Sequence, residues 1–365
     1  MKITGKYLKT VDWYIIRKFL GTFFFAISLI IIIVIIFDIS EKIDDFLEKD
    51  APLQKIIFQY YFNFIPYFVN LFSPLFTFIA VIFFTSKMAG RTEIVAILSS
   101  GISFRRFLQP YLVSSIILAL LSFFLANFLI PYTNVNLLNF ENRYLKNQNK
   151  RTNIDIHMQL SPGVFAYVEG YNKLDETGYR FTLEEIKEDG LTYKLTGEVL
   201  KWQPVKKQWQ IRNYVVRRMN GMHESLYKGT VKDTTLPFVP QDFKITVENA
   251  KTMKFMQLRR FIDKEKMKGS ENVMEFEVEK HKRIAFPFAT IVLTFIGVSL
   301  SSRKVRGGIG LHLGAGISIS FAFILFMQIS TTFAIYGNLP ASLAVWIPNV
   351  IFGLLGIYLL KIAPK

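Results

Sequence analysis

The chain has 365 residues, 51% of them hydrophobic, no cysteine and a formal net charge of +16. Without cysteine there is neither a disulfide nor a thiolate metal site, and a mean hydropathy of +0.29 fits a chain that is part membrane, part soluble domain. Much of the basic excess sits in short loops beside apolar stretches, where anionic lipid headgroups account for it, so nucleic acid is set aside as a partner.

Three apolar stretches come first, Ile15–Phe37, Ile56–Phe84 and Phe107–Ile130. Three come last, Ile284–Leu300, Ile309–Tyr336 and Leu343–Leu360. A hydrocarbon core of roughly 30 Å takes about 20 helical residues to cross. Lipid offers backbone groups no partner, so each stretch must be helical. The expected fold class is an α-helical membrane protein with six transmembrane helices and an inserted all-β domain, with a sandwich, a jelly roll or an open barrel as its form. The division expected is 1–131 for helices 1–3, 132–254 for the β domain, 255–283 for a connecting helix and 284–365 for helices 4–6. The first stretch is too long for a signal-peptide core and lacks a small-residue cleavage site, so it reads as a retained anchor.

Lys and Arg in short loops mark the cytoplasmic side. Lys2, Lys6, Lys9, Arg17 and Lys18 surround a single acid, Asp12, near the N-terminus. The loop after the second stretch holds Lys87, Arg91, Arg105 and Arg106, and the loop after the fourth holds Arg303, Lys304 and Arg306. The first loop is acidic instead, with Asp38, Glu41, Asp44, Asp45, Glu48 and Asp50. Both termini are therefore expected in the cytoplasm and the β domain outside.

Within the second basic loop, residues 91–101 read as a short helix. Thr92 is placed to cap it, Glu93 suits its positive N-terminal end, and Gly101 can end it. Ile94, Val95, Ile97 and Leu98 then leave a large apolar surface on two turns. Such a helix lies in the headgroup region or plugs into a partner.

Past Tyr132 the pattern changes to short alternating runs, Gly163–Tyr171, Tyr179–Ile186, Leu191–Trp202 and Gln208–Arg217. Leu191, Tyr193 and Leu195 fall on one strand face, as do Trp209 and Ile211. Asp189-Gly190 and Asn220-Gly221 mark hairpin turns. The interior of such a domain is either a plain core or, splayed open, a bed for an acyl chain. Phe255–Lys268 follows as an amphipathic helix with Phe255, Leu258, Phe261 and Ile262 on one side.

The four histidines, His157, His223, His281 and His312, form no recognisable zinc spacing. The glycine cluster from Gly307 to Gly316 lacks the Lys-Ser/Thr ending of a phosphate loop and runs into an apolar stretch. Gly310 and Gly314 form a GxxxG pair that favours close helix packing, and His312 suits a hydrogen bond between helices. No nucleotide or metal site is visible, so energy for any work comes from elsewhere.

Three segments carry a resemblance. Arg91-Thr92-Glu93-Ile94-Val95-Ala96-Ile97-Leu98-Ser99-Ser100-Gly101-Ile102-Ser103 is similar to the R-x-S-E-L-x-A-x-x-A-x-G-x-S coupling helix of the lipopolysaccharide-export permeases LptF and LptG. His281–Ala289 resembles that family's entry to the fourth span, and Ala344–Asn349 its sixth. The likeness covers essentially the whole chain. It implies a jellyroll-like periplasmic domain and a non-catalytic permease subunit of an ABC exporter in the inner membrane. A second LptF/LptG-type permease would sit beside it, with a cytoplasmic LptB-like ATPase dimer using ATP and Mg, and an LptC-like periplasmic bridge. No cofactor is expected on this chain. The resemblance implies that Glu93, with Arg91, Ile94, Ile97 and Leu98, meets the ATPase. It also implies that the first, second and fifth spans line the lipid cavity, with Phe25, Phe68, Phe72 and Phe326 as candidate contacts. The family often carries basic residues at the outer end of the first span, where this chain has Asp38, Glu41, Asp44 and Asp45 with Lys42, Lys49 and Lys55 interspersed. The alternative reading is a membrane sensor with an extracytoplasmic ligand-binding β domain; it calls for a cytoplasmic output domain, and no loop is long enough for one.

Overall fold

A computed structural model describes residues 9–145, 152–172, 175–187, 190–221, 223–244, 247–270, 272–303 and 308–362. Lys2, Lys6, Asp189, Lys304, Arg306 and Gly307 lie outside the described residues. The chain forms two compact units, one of residues 1–145 with 277–365 and one of residues 146–276.

In the first unit six helices are long and apolar enough to cross a membrane: Thr10–Glu48, Leu53–Gly90, Phe104–Tyr144, Val273–Ser301, Gly308–Tyr336 and Ala341–Ile362. They are called here the first to sixth spans. Ile15, Phe19, Phe23 and Ile27 recur every four residues and form one buried stripe on the first span. That stripe packs with Val81, Phe84 and Met88 of the second span and Tyr111 and Leu118 of the third. The third span runs on to Tyr144, past the Tyr132 boundary expected from sequence. Phe140 and Tyr144 explain the extension, because they pack with Phe46, Tyr60 and Phe64 in a second aromatic cluster. The soluble strands therefore begin later, at Thr152.

Two wide π turns interrupt the spans, Ile56–Tyr61 in the second and Leu125–Leu129 in the third. Each is accompanied by an asparagine that takes up loosened carbonyls. Asn63 donates to Phe58 O and Gln59 O at 3.1 and 2.9 Å, and Asn127 donates to Phe123 O at 3.0 Å. Such turns re-aim side chains, and they gather at functional places.

The second unit holds one antiparallel sheet of six strands: β1 (Thr152–Ser161), β2 (Val164–Asn172), β3 (Thr177–Lys187), β4 (Gly190–Gln203), β5 (Gln208–Asn220) and β6 (His223–Thr234). The all-β insertion holds. Its strand order is sequential, β1-β2-β3-β4-β5-β6, so every pairing joins neighbours in the chain; the crossed connections of a jelly roll are not made among the described residues. Short turns account for this, since they favour local pairing. Ser161 and Val164 pair across Pro162-Gly163, where Gly163 has φ +78° and a Cβ would lie 2.6 Å from Ile186 O.

One line runs across β2 to β5 where the two-residue period fails. Buried positions step by three there: Val168 to Tyr171 in β2, Gly178 to Phe181 in β3, Gly197 to Leu200 in β4 and Ile211 to Tyr214 in β5. On alternate strands the residue at that line is left-handed, Asp155 (φ +55°), Arg180 (φ +51°) and Asn213 (φ +49°). A left-handed residue rotates the chain, so inward and outward faces exchange along a crease. Non-glycine residues adopt it at a cost. Polar pairs line the crease outside: Tyr167 donates to Asp155 at 2.7 Å, Arg180 to both oxygens of Glu169 at 2.6 and 2.7 Å, and Asn213 to Glu198 at 2.7 Å.

The inner face on one side of the crease is filled. Phe238 and Phe243, after β6, pack on Trp209 and Tyr171, and the Trp209 indole donates to Phe238 O at 2.8 Å. Trp209 is fully buried, so this half is a plain core. Helix Phe255–Met267 packs Leu258 and Ile262 on Phe276, as its amphipathic pattern requires. Asp242 holds that helix to the Phe238–Phe243 segment, accepting from Lys268 at 3.0 Å, Lys264 at 3.5 Å and Val239 N at 2.9 Å. Burial alone would raise its pKa, yet the Val239 amide and the Lys268 ammonium bring it below the ordinary carboxylate value.

Candidate functional site

At the basic end of the helical unit, Glu93–Ser99 forms the expected short helix. Gly101 ends it with φ +86°, its N–H bonding to Leu98 O at 3.0 Å. Thr92 does not cap it: at φ +61° its hydroxyl turns back to Arg91 O. Of the apolar residues, Ile94 is buried, Ile97 and Leu98 are half-buried and Val95 is exposed. Ile94, Ile97 and Leu98 stand at i, i+3 and i+4 and so share one face, which packs into the cluster of Ile15, Phe19, Phe104 and Phe107. What faces outward is Arg91, Val95, Ala96 and Ser99. Glu93 lies at the rim, half-buried, 3.9 Å from Arg91, and accepts from the Tyr14 hydroxyl at 3.4 Å.

The platform beneath this helix is braced by a pair that sequence reading passed over. Arg106 donates to Asp12 through both terminal nitrogens, one at 2.8 Å to Oδ1 and a second, shorter bond to Oδ2. Asp12 also accepts from Lys9 N at 2.6 Å, closing the N-terminal turn of the first span. The available signal was that Asp12 is the lone acid in a basic segment.

At the opposite, acidic end of the first span, Asp38 is buried and accepts from Lys42 at 2.5 Å, Tyr60 at 3.2 Å and Tyr61 at 3.1 Å. Lys42 also bonds the Tyr60 hydroxyl. Tyr60 and Tyr61 are adjacent yet reach one carboxylate, which the wide turn Ile56–Tyr61 brings about. Lys42 is thus engaged inside the chain.

The proposed cavity aromatics divide into two sets. Phe64, Phe68, Phe72 and Phe76 form a ladder along the second span, with Phe68 4.1 Å from Phe64 and 6.1 Å from Phe72. Phe25 and Phe326 are exposed and join no ring pair among the described residues. The spans differ in the same way. Only 22% of the apolar windows of the first and fifth spans is buried, against 61% for the fourth, so those two are the faces left for lipid or another chain. Gly310 and Gly314 meet open space, and their GxxxG close approach is not made within this chain, because the fifth span packs through another face. Gly316 supplies the close approach instead, where a Cβ would stand 2.2 Å from Ile82 Cδ1. His312 is buried with Nε2 3.0 Å from Arg303 O, a carbonyl of the loop after the fourth span, so the bond expected between helices runs to a loop instead.

A family model described as lipopolysaccharide export system permease LptF/LptG matches residues 13–362. The match runs through both units, from the first span to the sixth. This chain is an LptF/LptG-family permease. Among curated proteins no match is found. As a member of that family it is a multi-pass membrane permease for lipopolysaccharide export, a transporter subunit without a catalytic role of its own.

Proposed function

We propose that this permease is one subunit of an ATP-driven exporter that takes lipopolysaccharide from the inner membrane and passes it to a periplasmic bridge. The observation that carries the reading is the family match from residue 13 to residue 362, which takes in all the spans and the inserted sheet. Basic loops at one end and an acidic loop at the other favour both termini in the cytoplasm and the sheet in the periplasm. A second permease of the same family would cover the exposed first and fifth spans and enclose the lipid, with Phe25 and Phe326 toward it and Phe68 and Phe72 behind.

The cytoplasmic ATPase dimer, supplied with ATP and Mg, would dock on helix Glu93–Ser99. With Ile94, Ile97 and Leu98 turned inward, those residues seat the helix, while Arg91, Glu93 and Val95 meet the partner. An arginine on the ATPase would pair with the Glu93 carboxylate, whose present partners at 3.4 and 3.9 Å are weak. Truncating one member of a buried interfacial pair costs about 2–5 kcal/mol. Glu93→Ala is therefore expected to weaken co-purification of the ATPase and abolish ATP-dependent lipid release from proteoliposomes, with the chain still inserted. Retained complex and normal release would overturn the coupling role.

A further inference from the structure

The half of the sheet beyond the crease is not filled by Phe238 and Phe243, and there the inner face opens into a cavity of about 350 Å³ between β5 and β6. Tyr214, Arg218, Leu226, Tyr227 and Lys232 line it. The rings of Tyr214 and Tyr227 stand 6.1 Å apart. Gly229 faces Tyr214 across the strands, and any Cβ there would strike the ring at 2.5 Å, so the glycine lets Tyr214 lie flat over the sheet.

The two cations are the informative pair. Of the neighbouring cations, Arg217 pairs with Glu224 at 2.7 Å, Lys206 in the turn before β5 with Asp233 at 2.8 Å, and Arg212 reaches the Gln210 amide oxygen at 2.9 Å. Arg218 and Lys232 have no carboxylate in ion-pairing range among the described residues. Each rests on a tyrosine face instead, Arg218 5.9 Å from the Tyr193 ring and Lys232 5.9 Å from the Tyr214 ring. Two cations on a concave aromatic wall make a poor bed for an acyl chain, since their charge would be desolvated without a partner. They suit an anion held by charge-assisted hydrogen bonds, with tyrosine faces and hydroxyls for a ring carrying both C–H and O–H groups. The volume suits a small ligand or one headgroup unit.

We infer that this cavity binds a phosphate-bearing sugar, the headgroup of the exported glycolipid, with Arg218 and Lys232 as its cations and Tyr214 and Tyr227 beside the sugar. The inference rests on the transport reading and names a contact within it. It also gives this chain its headgroup cations on the sheet, where Lys42 in the first span is already taken by Asp38.

The test places p-benzoylphenylalanine at Leu226, exposed at the cavity rim, in the full-length chain in detergent. The chain is irradiated with bisphosphorylated lipid A, with the same lipid after phosphatase treatment, and with glucosamine 1-phosphate as soluble competitor. Labelling by the phosphorylated lipid is expected to exceed that by the dephosphorylated one about tenfold, and to fall about tenfold in the Arg218→Gln, Lys232→Gln double variant. The Arg218→Lys, Lys232→Arg variant keeps both charges and is expected to retain most of the labelling. Displacement by millimolar glucosamine 1-phosphate assigns the sugar phosphate itself as the ligand; resistance to it, with phosphatase sensitivity intact, assigns the lipid-borne headgroup. Labelling indifferent to phosphatase or to loss of the two cations overturns the site. ATP-dependent release by the assembled exporter, measured alongside, separates the readings: continued release with indifferent labelling sinks the site alone, and no release by the native chain sinks the transport reading.

Discussion

Two carboxylates of the first span, Asp12 and Asp38, are both buried and both ion-paired, yet they hold the bundle in different ways. The cation for Asp12 comes from the third span, 94 residues away, and grips both oxygens. The cation for Asp38 lies four residues on along the same helix, and the cross-helix bonds come from two tyrosine hydroxyls. A charge pair between helices leaves an unpaired charge when one member goes. A charge pair within a helix leaves neutral donors still in place. The basic end is therefore a rigid joint and the acidic end a compliant one.

Arg106→Ala is the strongest way to break this comparison. It leaves Asp12 buried with only Lys9 N, so the helical unit is expected to lose about 3–5 kcal/mol, read as a lower midpoint in sodium dodecyl sulfate unfolding of the purified chain. A loss below about 1 kcal/mol would make the pair an ordinary surface contact. Lys42→Met is the matching change at the other end, where Tyr60 and Tyr61 still donate to Asp38. A smaller loss of about 2 kcal/mol is expected by the same assay. If Lys42→Met costs as much as Arg106→Ala, the two ends are equivalent and the contrast fails.

Asp242 in the sheet unit sharpens the contrast as a carboxylate in a watery unit, and the effect is smallest. Its folded pKa lies below the unfolded value, so its contribution is present above about pH 4 and is lost as pH falls through the folded pKa. Amide exchange protection of helix Phe255–Met267, corrected for intrinsic rate, is expected to drop by about 1 kcal/mol on acidification from neutral pH to below the folded value. Asp242→Asn should show that loss already at neutral pH and little further change. Equal acid sensitivity in native and variant chains would assign the stabilisation to other groups.

Much of the architecture was legible because hydropathy acts over long windows. All six spans, four of the strands and the linker helix stand where length and periodicity put them. What was missed turns on single residues. Phe140 and Tyr144 lengthen the third span through contacts with Phe46 and Tyr60 that lie far off in sequence. Ile94, Ile97 and Leu98 mark one helical face in the sequence, but only packing tells whether it looks toward a partner or into the chain's own core. Asp38 reads as one acid in an acidic loop until the wide turn at Ile56–Tyr61 brings two tyrosines onto it. Tyr193 and Trp209 lie on strand faces legible in the sequence, yet only packing shows that Trp209 is sealed under Phe238 while Tyr193 is half-buried beneath Arg218. Trp209, Ile211, Tyr214 and Val216 already carry the three-residue step, but one broken period in one strand resembles noise.

The crease carries a constraint on how this sheet can change over generations. Removing Asn213 alone would restore plain alternation in β5, and it would also slide that strand by one residue against both neighbours, turning half its side chains to the wrong face. Only coordinated losses from all the strands that share the step would give a regular sheet with its pairings intact. The bend is therefore inherited as a block, and insertions or deletions are tolerated in the hairpin loops, well away from this line.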